Sequence, residues 1–297
     1  MKTLRESLLD LPLATRASEV RQIADCPMSY ALRLAAEPLM ASATFFALGE
    51  YVHEGIARSI IEDWAEDQTI VFVQDRIHEW SLQVDRESLI ETQARTLDSM
   101  PEDAARMIRN FYKWVHPSSP ERLPLFNDYH WPPKVEQTFV RTDLGTVAPV
   151  YGTLDAIFEP KDEAKPRLIV DFKGSVRKVS DSLQLNFYRL LIGEPEADAC
   201  FVYLDRVQPR AVIGWAEPYP GDRAMLYMIQ WTETVKAKII ETSRARAVQG
   251  RHCQVCPART VCPLQVGTDA SMAFVARQLK ELRPTLVPLN IAQSLAS

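Results

Sequence analysis

Between residues 134 and 216 the chain runs through a succession of segments that few folds can hold. Lys134 to Val140 and Val150 to Glu159 read as two strands, with Asp143, Leu144 and Gly145 as the turn signal between them. Arg167 to Lys173 reads as a third strand, with a short apolar run at its centre. Ser182 to Ile192 has helical periodicity, and Cys200 to Asp205 and Ala211 to Ala216 look like further strands. Strands and helices alternating in this way argue for an α/β fold with a mixed central sheet flanked by helices. The N-terminal third is mostly helical: Val52, Ile56, Ile60 and Trp64 recur at helical spacing across Phe45 to Trp64. That style continues from Val73 to Tyr112, with a break expected at Met100-Pro101. Pro117 to Pro133 reads as loop, Ala224 to Arg246 as a long helix, and Met272 to Leu282 as an amphipathic stretch before a proline-broken tail.

A chain of 297 residues, 46% hydrophobic and 25% charged, suffices for one large domain or two smaller ones with a sizeable core. No stretch approaches the roughly 18 uncharged apolar residues of a membrane helix. The N-terminus, with Glu6 and Asp10 and no long apolar run, does not read as a secretory signal, which points to the cytoplasm. The net charge of −5 works against nucleic-acid binding unless positive charge is local. It is unevenly spread: acids dominate from Glu50 to Asp103, and bases (Lys236, Lys238, Arg244, Arg246, Arg251, Arg259) from Lys236 to Arg259. A charged stretch is most often a solvated helix face, but a local patch can steer DNA on an acidic protein, and Arg244 and Arg246 are the candidates for phosphate contacts.

The chemistry-bearing residues fall on the strands. Asp155 lies within the second strand, and Asp171 and Lys173 end the third. Side chains alternate along a strand, so Asp171 and Lys173 share a face, and Asp155 reaches it if the two strands pair. Two carboxylates and a lysine converging there make a hard-oxygen site for Mg²⁺ or Mn²⁺. Asp-x-Lys alone is as readily a surface charge pair, but Leu168-Ile169-Val170 before it puts the carboxylate at the end of a buried strand, where an unpaired charge is costly. Gly49 precedes His53 by one helical turn. Glycine within a helix costs about 1 kcal/mol relative to alanine, which suggests close approach to a neighbour. Gln184 and Tyr188 lie one turn apart on the next helix and share a face.

Cys253, Cys256 and Cys262 have the spacing C-x₂-C-x₅-C, three thiols in ten residues, which core packing hardly explains. A four-ligand metal site needs one more, and Cys26 is the natural fourth. Spacing leaves zinc and an iron–sulfur cluster open. Cys200 falls in a strand and reads as a buried structural thiol.

Gly49-x-x-x-His53, Gly152-x-x-Asp155, Asp171-x-Lys173 and Gln184-x-x-x-Tyr188 occur in an order that resembles RecB-like PD-(D/E)xK nucleases. Together with the cysteines that bracket them, the pattern is similar to the iron–sulfur nucleases: the AddB-type nuclease domain, CRISPR-associated exonucleases of the Cas-four type, and their bacteriophage relatives. The resemblance spans Cys26 to Cys262. It implies a restriction-endonuclease-like fold. His53, Asp155, Asp171 and the Phe172 carbonyl would be metal ligands, and Lys173 would be catalytic. Gln184 and Tyr188 would contact the active site or the DNA. A [4Fe–4S] cluster on Cys26, Cys253, Cys256 and Cys262 would tie the N- and C-terminal segments together, closing a very long loop. On this reading 1–297 is one nuclease domain, 61–133 a helical insertion or cap, 134–220 the catalytic sheet core and 250–265 the C-terminal ligand segment. The implied activity is metal-dependent hydrolysis at DNA ends, with single-strand preference, in recombination, repair or CRISPR-type processing. Its partners would be DNA and a strand-annealing recombinase, a helicase or CRISPR adaptation proteins. The chain has no G-x-x-x-x-G-K-[ST] run, so any motor is another polypeptide. The competing reading is a non-catalytic DNA-end-binding or adaptor protein that keeps the fold and cluster. A zinc-stabilised nucleic-acid binder is a third.

Overall fold

A computed structural model describes residues 13–36, 41–174, 182–205, 213–218, 222–262 and 264. The chain separates into two compact units. One takes its described residues from Met1–Met40, Val140–Gly152 and Arg223–Ser297, the other from Ala41–Phe139 and Thr153–Asp222.

The elements in chain order are α1 (Ala17–Asp25), α2 (Pro27–Ala36), α3 (Thr44–Glu62), α4 (Glu66–Ser81), α5 (Met100–Trp114), β1 (Lys134–Arg141), β2 (Val150–Phe158), β3 (Leu168–Lys173), α6 (Leu183–Ile192), β4 (Asp198–Tyr203), β5 (Ile213–Trp215) and α7 (Asp222–Thr242). The five strands form one sheet in the order β1-β2-β3-β4-β5. β2 runs antiparallel to β3, β3 parallel to β4, and β4 antiparallel to β5. The mixed α/β architecture therefore stands as expected.

In the second unit the core forms where α3, α4 and α5 meet one face of the sheet. Val52, Ile56 and Ile60 of α3 join Ile70, Val73 and Ile77 of α4 and Ala104, Met107, Ile108 and Phe111 of α5. They pack with Ala156 and Phe158, Leu168, Val170 and Phe172, and Cys200 and Val202, alternate residues of three strands. The intervening residues, among them Asp171, Phe201 and Tyr203, face the other way, and α6 packs against β3 and β4. Cys200 is fully buried in this core. Gly193, at φ 74, ends α6 in the left-handed conformation that glycine adopts without a Cβ clash.

Several expectations need correction. Pro101 opens α5 instead of breaking a helix, since the first turn has no use for the missing N–H, and Glu102 and Asp103 there complement the helix dipole. The true interruption is residues 82–99, which include bridges at Ile90 and between Thr92 and Arg95. The helices within 61–133 bury their apolar faces in the core beside the sheet. Gly49 has no atom within 4 Å of where a Cβ would stand. The close approach is at Gly55, whose Cβ would meet Val73 Cγ2 at 2.3 Å. α7 ends at Thr242, short of Arg246. Residues 211 and 212 and the stretch Met272 to Leu282 lie outside the described residues.

In the first unit, α1, α2 and α7 share a core of Ile23, Met28, Tyr30, Leu32 and Ile239. Lys236, read from sequence as part of a basic surface run, is fully buried. It pairs with Glu19 at 2.6 Å and donates to the Ala14 carbonyl at 2.8 Å. A buried ammonium needs partners of this kind, so Lys236 is structural and out of reach of phosphate.

Candidate active site

The site belongs to the second unit and is built from the interior of β2 and the C-terminal half of β3. The register that sets Ala156 opposite Val170 brings Asp155 abreast of Asp171. Asp155 Oδ2 accepts a 2.8 Å hydrogen bond from the Phe172 N–H. Asp171 is 1% exposed, and its Oδ2 lies 2.6 Å from Lys173 Nζ. The two form a buried ion pair, in which the Lys173 ammonium neutralises the Asp171 carboxylate.

α6 supplies the organising residue. Gln184 accepts from Lys173 Nζ (2.9 Å) and donates to Asp171 Oδ1 and the Tyr188 hydroxyl, both at 2.7 Å. Its amide thus fixes lysine, carboxylate and phenol together. Tyr188, one turn on, is buried at the site. Lys173 Nζ also lies 5.3 Å from the centre of the Phe201 ring.

From α3, His53 places Nε2 2.8 Å from the Phe172 carbonyl oxygen and Nδ1 3.5 Å from Asp155 Oδ1. His53, Asp155 and a residue the sequence reading missed, Glu136 of β1, bring ligand atoms within 4.8 Å of one another. Glu136 has φ 48, a left-handed conformation that costs a non-glycine residue about 1–3 kcal/mol. Its only sequence signal was an acid within a β-forming segment, where acids are depleted. Among the described residues Asp171 belongs to no such tight set, being held by Lys173 and Gln184.

The electrostatics follow from this crowding. Burial works against the imidazolium, but the Asp155 and Asp171 carboxylates outweigh it and raise His53 to about 9. Burial, aided by the Asp155 charge, lifts Asp171 to about 6 against the pull of Lys173. Asp155 is held below the usual carboxylate range because His53, Lys173 and the Phe172 N–H outweigh burial. Lys173 is raised in spite of burial by Asp171 and Asp155. Burial and those same carboxylates push the Tyr188 phenol far up, so it stays protonated. Hard oxygen donors and one imidazole suit Mg²⁺ or Mn²⁺.

The residue pattern and the geometry meet a direct comparison. The family model of the PD-(D/E)XK nuclease superfamily matches residues 16–263. The chain belongs to this superfamily. Its members are phosphodiester hydrolases that generally use a divalent metal. No curated protein matches the chain. Among solved structures, the crystal structure of SSO0001 is similar at 11% identity and a TM-score of 0.35, over 89% of this chain and 99% of that one.

The cysteines belong to the first unit of the PD-(D/E)XK chain. Cys26, Cys253, Cys256 and Cys262 line one pocket, with Ser29, Val248 and His252. All four are free thiols. Cys26 sits at the junction of α1 and α2, and the Met28 N–H donates to the Arg246 carbonyl at 3.0 Å, tying that junction to the segment after α7. Backbone N–H groups of Val248 and Gly250 point at the sulfurs of Cys26 (3.4 Å) and Cys253 (3.5 Å). Burial raises the Cys256 thiol. Arg244 and Arg246 are exposed beyond α7. Among the described residues no helix is long and apolar enough to cross a membrane.

Proposed function

We propose that the chain is a metal-dependent deoxyribonuclease that shortens DNA from its ends, with Asp155, Asp171, His53 and Glu136 holding Mg²⁺ or Mn²⁺ and Lys173 acting on the scissile phosphate. The observation that carries this reading is that His53, Glu136 and Asp155 bring ligand atoms within 4.8 Å of one another beside the 2.6 Å Asp171–Lys173 ion pair. A bound divalent cation supplies Lewis acidity, lowering the pKa of a water and neutralising phosphate charge. Lys173, kept cationic by Asp171, stabilises negative charge developing on the phosphate as water attacks phosphorus and the P–O bond of the leaving strand breaks. Gln184 holds the ammonium in place and spends its own amide doing so, which makes it a positioning residue. The Tyr188 hydroxyl accepts from Gln184, leaving its proton free to meet a phosphate oxygen or DNA. His53, anchored on the Phe172 carbonyl, presents Nδ1 toward Asp155 as a ligand. The Phe172 carbonyl keeps a second lone pair and is a further candidate ligand.

The four cysteines would hold a [4Fe–4S] cluster. They line one pocket, and the Val248 and Gly250 N–H groups aimed at the Cys26 and Cys253 sulfurs would stabilise ligating thiolates.

The test is cleavage of end-labelled single- and double-stranded DNA by anaerobically purified protein with Mn²⁺, Mg²⁺ or chelator, beside Lys173→Ala. Metal-dependent shortening that falls by about 10²–10³-fold in the variant is the expected result. A folded wild-type protein that binds DNA ends and never cleaves them would support the adaptor reading instead.

A further inference from the structure

The exposed face of α7 carries a pattern that its structural role does not require. The buried face is Met225, Ile229, Thr232, Lys236, Ile239 and Ile240. On the opposite side Arg223, Tyr227, Trp231 and Lys238 are exposed, with Tyr227 at 70% and Trp231 at 40%. Tyr227 and Trp231 are one turn apart and about 6 Å along the axis. Arg223 stands one turn before them and Lys238 two turns after. Beyond the helix end the exposed Arg244 and Arg246 continue the charge. Glu241 is the one exposed acid among the described side chains of α7, since Glu233 is buried with its carboxylate on the Val147 and Ala148 N–H groups. Residues 223–262 contain seven bases and two acids in a chain of net charge −5, so positive charge is concentrated here against the trend of the whole.

We propose that this face is a platform for single-stranded nucleic acid, with successive bases stacked on Tyr227 and Trp231 and phosphates neutralised by Arg223, Lys238, Arg244 and Arg246. Two flat rings at one-turn spacing present π-faces to neighbouring bases whatever their sequence, and flanking cations track the backbone. A duplex keeps its bases stacked on each other and cannot use the rings. The exposed cations beside the rings complement a polyanionic strand. The proposal rests on the nuclease reading for its class of ligand, and it adds the residues that would read a single strand.

The full-length protein is titrated into fluorescently labelled oligothymidylate and into a duplex of equal length, in chelator so that no cleavage occurs, at several salt concentrations. Wild type, Tyr227→Ala/Trp231→Ala and Arg223→Glu/Lys238→Glu are compared, with circular dichroism and sedimentation as controls. The platform predicts a loss of about tenfold or more for the oligothymidylate in the aromatic variant and little change for duplex. The charge variant should show a shallower dependence of log affinity on log salt. Unchanged oligothymidylate affinity in the aromatic variant, or no binding by wild type, overturns the platform even if the enzyme cleaves DNA. A sedimentation shift in the aromatic variant with unchanged affinity also overturns it, and assigns the face to contact between copies. Normal platform behaviour in a wild type that never cleaves overturns the nuclease reading and leaves the platform standing.

Discussion

The Arg95 guanidinium donates a 3.1 Å hydrogen bond to the carbonyl of Gly174, the residue that follows Lys173. Arg95 also pairs with Asp103 at 2.7 Å and Asp205 at 2.8 Å, and Arg106 bridges the same two carboxylates. The network joins the loop before α5, α5 itself and the ends of β3 and β4, where the Leu204 N–H donates to the Lys173 carbonyl at 2.9 Å.

Arg95→Lys keeps the charge and loses the fork that spans three partners. A displacement of about 1 Å at a catalytic group can cost about 10²-fold, so the turnover rate should fall between tenfold and 10²-fold with oligonucleotide binding in chelator unchanged. Single-turnover cleavage checks this. A rate within twofold of wild type would show that the network serves stability alone.

Glu136→Gln leaves Asp155, Asp171 and Lys173 in place and removes one carboxylate from the tight set with His53. The expected change is in metal affinity, with the Mn²⁺ concentration for half-maximal cleavage rising roughly tenfold or more. Cleavage at saturating metal should recover. Identical metal titration curves would remove Glu136 from the ligand set.

If Asp171 and His53 hold the metal, proton and cation compete for the same groups. Asp171 titrates at about 6 and His53 at about 9, both raised, so metal must displace protons below those values. Affinity therefore rises with pH, and stabilisation by a fixed Mg²⁺ or Mn²⁺ concentration should be larger at pH 8 than at pH 6. In chelator the sign for Asp171 is opposite. The native state binds the proton more tightly than the unfolded chain, so its contribution is full below the ordinary carboxylate pKa and is lost as pH rises through about 6. Thermal melts with metal and with chelator at both pH values check both signs.

Cys26→Ser removes the one ligand that is distant in sequence. If the four thiols hold a cluster, anaerobically purified protein should lose the brown absorbance and the near-stoichiometric iron of wild type, and melt several degrees lower. Cys200→Ser is the control: that thiol is buried in the core of the other unit, so iron content should be unchanged.

The sequence made the strand block, the α6 periodicity and the Asp171-x-Lys173 face legible, because alternation and helical spacing are local properties of the backbone. It also named the four cysteines, whose number and spacing exceed what packing asks for. Glu136 stayed hidden because its role comes from β1 lying beside β2 and from its own left-handed backbone, neither of which a neighbouring residue encodes. Gly49 and Gly55 are alike in sequence, and only the packing of Val73 against α3 tells which one is crowded. Lys236 read as surface charge because a sequence does not show the partner, Glu19, more than two hundred residues away. Local chain chemistry therefore determined the elements and the residue types of the site. Long-range packing alone decided which charges are buried in pairs, which acid lies beside His53 and Asp155, and which cations remain at the surface.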